Sequence, residues 1–301
     1  LFQLHSMHPL KRRNLAFLEC NDAISLYITQ DDSMSKTKLV IEQDIAKLSL
    51  CNPDKHNAFD DVIISELRAH LSDVKQMKGV RALVLSAEGK SFCAGADLGW
   101  MKRMAELSEA ENLHDAQALA GLMSDLYTLP FPTVVVVQGA AYGGAVGLIA
   151  CSDIAIASHK ARFCLSEVKL GLAPATIGPY VISAMGARRC SQLFMTAELF
   201  SAEQAHQYGL IHHIVEHDEL ENRLQTTLEN LLAAGPEANK AAKQLIRTCQ
   251  TPIESDLEDY TSNMIAKLRV SQEGQEGLHA FFEKRSPNWV KRSESGNALP
   301  L

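Results

Sequence analysis

Glu167 is the single carboxylate of FCLSEVKLGLAPA (163–175), set between apolar neighbours, which makes it a candidate proton carrier. Two other segments share its grammar, in which an expected strand gives way to small residues. SFCAGADL (91–98) holds Ala94-Gly95-Ala96, and YGGAVGL (142–148) places Gly143 and Gly144 at an expected helix start. Around the second, QGAAYGGAVGLIACSDI (138–154) has 8 Gly or Ala among 17 residues and one charge, Asp153. Such stripping serves close packing, or it clears a path to the backbone. A helix start offers unpaired N–H groups and the positive end of the helix dipole. Two such amides aimed at one oxygen form an oxyanion hole, which lowers a barrier by about 3–4 kcal/mol per donor. Taken singly, each segment also has a purely structural explanation. The ordered set carries the argument.

The elements that must position these residues are legible in pattern. KLVIEQ (38–43) and IAKLSL (45–50) predict a tight hairpin. Apolar residues at Val62, Ile63, Leu67, Leu71 and Val74 predict an amphipathic helix, and RALVLSA (81–87) a strand. A helical region then runs to about Leu129, followed by a buried strand in PTVVVV (132–137) and another in IAIAS (154–158). Ser201 and Gln204 form a capping box, and Pro236 suits a first helical turn. The alternation predicts an α/β core with parallel pairing. No interior linker appears, so the expected organisation is an N-terminal extension outside the fold (1–34), a core (35–234) and a C-terminal helical region (235–301). Residues 1–33 have no long apolar run, and Glu19, Asp22, Asp31 and Asp32 argue against reading Lys11, Arg12 and Arg13 as a targeting signal.

Composition removes other classes. With 301 residues, 46% hydrophobic and 22% charged, the chain resembles ordinary globular domains. No apolar run approaches the roughly 20 residues that span a bilayer, so no membrane association is expected. A net charge of −7 disfavours nucleic acid as a partner. Seven scattered cysteines without a CxxC pair suggest a reducing, cytoplasmic compartment. GKS (89–91) lacks the phosphate-loop glycine, since position 84 is Val, and neither GxGxxG after a strand nor GxSxG occurs. His212 and His213 are adjacent, which on a strand turns them to opposite faces, so no metal site is expected.

NPDKHNAF (52–59), SFCAGADL, QGAAYGGAVGLIACSDIAIA, FCLSEVKLGLAP and FFEKRSPNW (281–289), in that order, resemble the enoyl-CoA hydratase/isomerase (crotonase) family from about residue 38 to 290. The resemblance implies a crotonase-like spiral of repeated ββα units with C-terminal helices that trimerise, as a homotrimer or a dimer of trimers. It implies an acyl-CoA thioester as substrate, with CoA part of the substrate and no separate cofactor. Carried over by motif, the oxyanion amides fall on Ala96 and Gly144, and the carboxylate on Glu167. Lys55, Ala58, Ala94, Asp97 and Leu98 fall where the family contacts its substrate, as does Gly147. Lys284 falls where a basic residue reaches a neighbour's CoA.

One column departs from the family pattern. Two-glutamate hydratases carry a glutamate where this chain has Gly147 in GGAVGL. GGAVGL with SEVKLGLAPATIGPYV is similar to bacterial methylglutaconyl-CoA hydratases, which implies hydration of a short branched enoyl-CoA. A one-glutamate isomerase and a non-catalytic acyl-CoA binder are the alternatives. A substrate with a distal carboxylate calls for a nearby cation, for which Lys102, Arg103 and His114 are candidates.

Overall fold

A computed structural model describes residues 16–20, 23–27, 35–250, 263, 265, 267–269 and 271–290. Strands β3 (Thr37–Glu42) and β4 (Ile45–Leu50) form the expected antiparallel hairpin. Helix α1 (Asp61–Gln76) then crosses to β5 (Ala82–Ala87), which pairs parallel with β4. Helices α2 (Leu98–Glu106) and α3 (Glu109–Tyr127) lead to β6 (Thr133–Val137), again parallel. Next come β7 (Ala140–Tyr142), α4 (Gly144–Cys151) and β8 (Ile154–Ser158), and β8 lies parallel to β6. The ββα unit thus recurs as β3-β4-α1 and β6-β7-α4. Strand β9 (Arg162–Cys164) pairs with β7, and β10 (Phe200–Ser201) with β9, in a small second sheet. Strand β11 (His213–Val215) closes one edge of the main sheet beside β8.

One expectation needs correction. Residues 1–34 were expected outside the fold, yet β1 (Ala16–Cys20) and β2 (Ala23–Tyr27) form a hairpin that extends the main sheet. The register pairs Leu26 with Ile41 and Tyr27 with Val40. AFLEC and AISLY are short and rich in β-formers, and β3 offers them an open edge. The rest of the extension lies outside the described residues.

The core explains the apolar runs. Helix α1 is capped by Asp60, whose carboxylate accepts the Ile63 N–H at 2.9 Å. It buries Ile63, Ile64, Leu67, Leu71 and Val74, whereas Val62, read from the pattern as inward, is 42% exposed. Strand β6 shows no alternation because both its faces are covered. Val135 and Val137 enter the main core, and Val134 packs with Leu220, Leu224 and Leu228 of α8 (Leu220–Ala233).

Two basic residues fasten the C-terminal region. Arg81 donates to the carbonyls of Trp289, Leu232 and Ala234 at 3.0, 2.9 and 2.6 Å, while the Trp289 indole donates to Ala233 O at 3.1 Å. Lys243, on α9 (Pro236–Gln250), is 6% exposed and donates to Phe131 O at 2.9 Å and to Asp153 at 2.5 Å. Asp153 also accepts the Thr133 N–H and hydroxyl at 2.7 and 2.9 Å. Burial, only partly opposed by Asp153, pushes the Lys243 ammonium down to about 8. In the unfolded chain this group titrates near 10.5. Between these values the unfolded state holds the proton and the folded state does not, so rising pH favours folding.

Lys243→Met should therefore lose ground to the parent as pH climbs from about 8 towards about 10.5, and differ from it by a constant amount below that window. Lys243→Ala, which leaves Asp153 with only its Thr133 partners, should cost about 3 kcal/mol at neutral pH. Denaturant melts across pH check both.

Candidate active site

The loop after β5 is fixed from several sides. Phe59 N–H donates to Gly95 O at 2.7 Å, and Asp97 N–H donates to Phe59 O at 2.7 Å. Ala94 N–H donates to His56 O at 3.0 Å. These bonds use the peptide groups on either side of Ala96, and its own N–H has no partner among the described residues. Ala96 is exposed.

The loop after β6 is tied to the first by a short parallel bridge. Cys93 N–H donates to Ala140 O at 3.0 Å, and Tyr142 N–H donates back to Cys93 O at 3.0 Å. Gly143 N–H donates to Cys164 O at 2.9 Å, which brings in the third segment. Gly143 has φ +54° and ψ −120°, a backbone that a residue with Cβ adopts only under strain, and it turns the chain into α4. Gly144 is the first residue of that helix, so its N–H has no intrahelical acceptor. The expected helix start is therefore there, and the Gly144 N–H has no partner among the described residues.

Glu167 opens a single 3₁₀ turn (Glu167–Leu170) after β9. A Cβ placed on Gly143 would stand 3.3 Å from Glu167 Oε1, so the carboxylate lies directly against the turn that presents Gly144. The other oxygen, Oε2, is buried and without a hydrogen-bond partner. Burial raises the carboxyl above the usual range, opposed only by a backbone N–H. A half-buried acid with a raised pKa and one unmet oxygen, set against the turn that presents the Gly144 N–H, has the chemistry to carry a proton to and from a carbon next to a polarised carbonyl.

The remaining expected residues divide. Ala58 is half-buried beside Phe59, while Ala94 and Leu98, the latter 75% exposed, flank Ala96. Asp97 caps α2 by accepting Trp100 N–H at 3.0 Å, and its other oxygen takes Lys55 Nζ at 3.1 Å. The Trp100 N–H and then Lys55 hold its carboxyl below the usual range. Lys55 is thereby held beside the CAGAD loop, mostly exposed. Lys284 follows α10 (Gln272–Phe282) with φ +53°, is exposed, and makes no hydrogen bond or ion pair with these loops. Its neighbour Arg285 grips Glu276 through two bonds of 2.7 and 2.9 Å.

Gly147, expected among the substrate contacts, is buried, and a Cβ there would lie 2.3 Å from Ile177 Cγ2 and 3.1 Å from Met123 Sδ. Protein fills the space that a second glutamate would need. Gly144 carries a similar constraint, since a Cβ on it would meet the Phe59 ring at 3.1 Å. Its missing side chain thus serves packing as well as access to the amide. Sequence reasoning did not single out Asn57. It is buried, and its side chain accepts Asn52 N–H at 2.9 Å and donates to Glu88 O and Ser91 O at 2.8 and 2.9 Å. That clamp joins 52–59 to the loop before Ala96. Its one signal was an amide in a turn-rich motif.

The profile described as enoyl-CoA hydratase/isomerase matches residues 40–292. An enoyl-CoA hydratase of Shewanella pealeana superposes with a TM-score of 0.83 at 47% identity, covering 86% of this chain and 97% of that one. The trans-2-decenoyl-[acyl-carrier-protein] isomerase of Streptococcus mutans is 30% identical, over 83% of this chain and 96% of its own. The human mitochondrial enoyl-CoA hydratase domain-containing protein 2 is 32% identical, over 83% and 86%.

Glu167→Gln should lower turnover by at least about two orders of magnitude, the scale expected for a lost general acid or base. It should not lower the melting temperature near neutral pH, because it removes a buried charge that has no partner at one oxygen. Unchanged turnover would remove Glu167 from the chemistry. Gly147→Glu should fold poorly, by overpacking against Ile177 of about 1–3 kcal/mol or more, and Ile177→Ala in the same chain should recover part of the loss. Thermal melts of the single and double variants decide this.

Proposed function

Because the chain belongs to the enoyl-CoA hydratase/isomerase family, we propose that it is a hydratase adding water across C2=C3 of a short branched enoyl-CoA, such as 3-methylglutaconyl-CoA. The observation that carries this reading is the Glu167 carboxylate, with one unpartnered oxygen, set against the turn that presents the Gly144 amide. The thioester oxygen would accept from Ala96 N–H and Gly144 N–H. Water would attack C3 and give a proton to Glu167, while charge collects on that oxygen as an enolate. Glu167 would then return the proton to C2, so the product gains OH at C3 and H at C2. A single carboxylate suffices because it ends each cycle as it began, and a raised pKa suits it to both transfers.

Support for a distal carboxylate comes from charge near the CAGAD loop. Arg103 is already paired with Asp61 at 2.6 Å, which leaves the Lys102 ammonium and the His114 imidazole as partners for a second acid. The exposed Phe281, Phe282 and Ile246 of the C-terminal helices suit the trimer contacts that go with this reading. An isomerase is the second reading, favoured by the sealed position at Gly147 and by the isomerase among the relatives. In it Glu167 takes a proton from one carbon and returns it to another. A silent binder would have no use for an unpaired, partly buried carboxylate at this position.

Incubation with 2-enoyl-CoA and 3-enoyl-CoA substrates in ¹⁸O-water separates these readings by mass. Heavy oxygen in the product from branched 2-enoyl-CoA supports hydration, and a shifted double bond without it supports isomerisation. The acid limb of kcat/KM should fall above the ordinary carboxylate range, with rate lost as pH drops and Glu167 becomes protonated. A limb at the pKa of an ordinary exposed glutamate would count against Glu167 as the base.

A further inference from the structure

A second group of titratable side chains lies at the other end of the parallel strands. The oxyanion loops leave the C-terminal ends of β5 and β6, at Ala87 and Val137. His212 sits where β8 and β11 begin: its N–H donates to Ala155 O at 2.9 Å, and its Nδ1 accepts Ala155 N–H at 3.0 Å. Because β5, β6, β8 and β11 run parallel, this is the opposite edge of the sheet. A shallow, open cleft of about 400 Å³ lies there, lined by His206, His212, His213, Ile214, Val215 and Arg223.

The lining carries four basic side chains and no acid. The acids nearby are engaged elsewhere. Asp153 holds Thr133 and Lys243, Glu216 pairs with His159 at 3.0 Å, and Glu219 accepts from Asn222 at 2.9 Å. The donors are only partly used. With Nδ1 of His212 accepting, its Nε2 carries the hydrogen and has no partner among the described residues. Arg223 spends one amino group on His213 Nε2 at 2.6 Å, and its Nε is buried with no hydrogen-bond partner. His206 Nδ1 lies 2.9 Å from Ile211 O, which fixes its ring.

We propose that this cleft binds a phosphate-class tetrahedral oxyanion, free or as an ester, through Arg223 together with His206, His212 and His213. The second amino group of Arg223 and the imidazole N–H groups of the lining offer such an ion charge-assisted donors. The pair of His213 and Arg223 also couples binding to protons. While His213 is neutral its Nε2 accepts from Arg223, but once protonated two donors face each other and need an anion between them. Burial, then Arg223, His212 and His206, hold His213 below its ordinary value. Burial and His206 lower His212, against the pull of Asp153, and its Nδ1 is held by the Ala155 N–H. An anion offsets the Arg223 charge at His213, so binding takes up a proton there and strengthens as pH falls.

Inorganic sulfate, a dianion throughout, is titrated calorimetrically into the full chain at about pH 6 and about pH 8, in buffers of different ionisation heat. The expected result is affinity at least about tenfold tighter at the lower pH, with a buffer-dependent heat that reports proton uptake. Arg223→Gln should weaken binding at least about tenfold at either pH. His213→Gln keeps an acceptor for Arg223 but cannot titrate, so it should keep the higher-pH affinity and flatten the pH dependence. A sugar phosphate compared with inorganic phosphate identifies the source: tighter ester binding points to an ester ligand, equal binding to the free ion, and either bears the site out. Absence of saturable sulfate binding at the lower pH overturns the proposal. So does binding that both variants, shown folded by melting, leave unchanged.

Discussion

The site depends on keeping two backbone N–H groups unpaired where nearly every neighbouring peptide group is paired. Buried or crowded amides almost always find an acceptor, and a loop free to move would supply one. Here the loops cannot move singly. Cys93 is bonded to both Ala140 and Tyr142, Gly143 to Cys164, and Phe59 to Gly95 and Asp97. The bonds of Gly95, Asp97 and Gly143 engage the peptide groups beside Ala96 and Gly144, and those of Cys93 tie the two loops to each other. Asn57 extends the lattice backwards to Glu88 and Ser91. The proposed role of Ala96 and Gly144 needs amides that are fixed before substrate arrives, and these bonds hold the loops that carry them.

Much of this was legible in the sequence, for identifiable reasons. The hairpin, the parallel core, the start of α4 and the Ser201 cap follow from local pattern, and all are present. Glu167 stood out because a carboxylate among apolar residues is rare. Other features depend on long-range packing that no local pattern carries. Val62 fits an apolar stripe yet faces solvent, and Ile64 is buried in its stead. The strands within residues 16–27 are too short to announce themselves without β3 as a template. The fate of Gly147 is decided by Ile177, 30 positions away, and by Met123 on another helix. A family column can mark such a position but cannot say what fills it.

Glu167 and Gly147 show two ways of treating charge near this core. At Gly147 the volume of a carboxylate has gone to an isoleucine and a methionine, which need no hydrogen bonds and pack without residual charge. At Glu167 the acid is kept, half-buried, with an oxygen that nothing satisfies. Burying an unpaired polar atom costs stability. Burial, which leaves that oxygen unmet, is also what raises the carboxyl above the usual range and brings its protonated and ionised forms closer in energy.

The direction of the sheet makes this cost tolerable. In a parallel sheet all the loops that follow strands gather at one end, and those that precede them at the other. At the preceding end, a polar network ties together the starts of β6 and β8 on the side away from His212 and β11. Asp153 takes the backbone and hydroxyl of Thr133 and the ammonium of Lys243, and Thr133 returns a bond to the Asp153 N–H at 2.9 Å. That network pins the starts of β6 and β8 and the helix α9 to one another. Strand β6 is then held at its beginning by polar bonds and along its length by apolar cover on both faces. Its far end can therefore carry Gly143 in a conformation closed to most residues, and present a free amide from the next, without relaxing into a better-bonded loop.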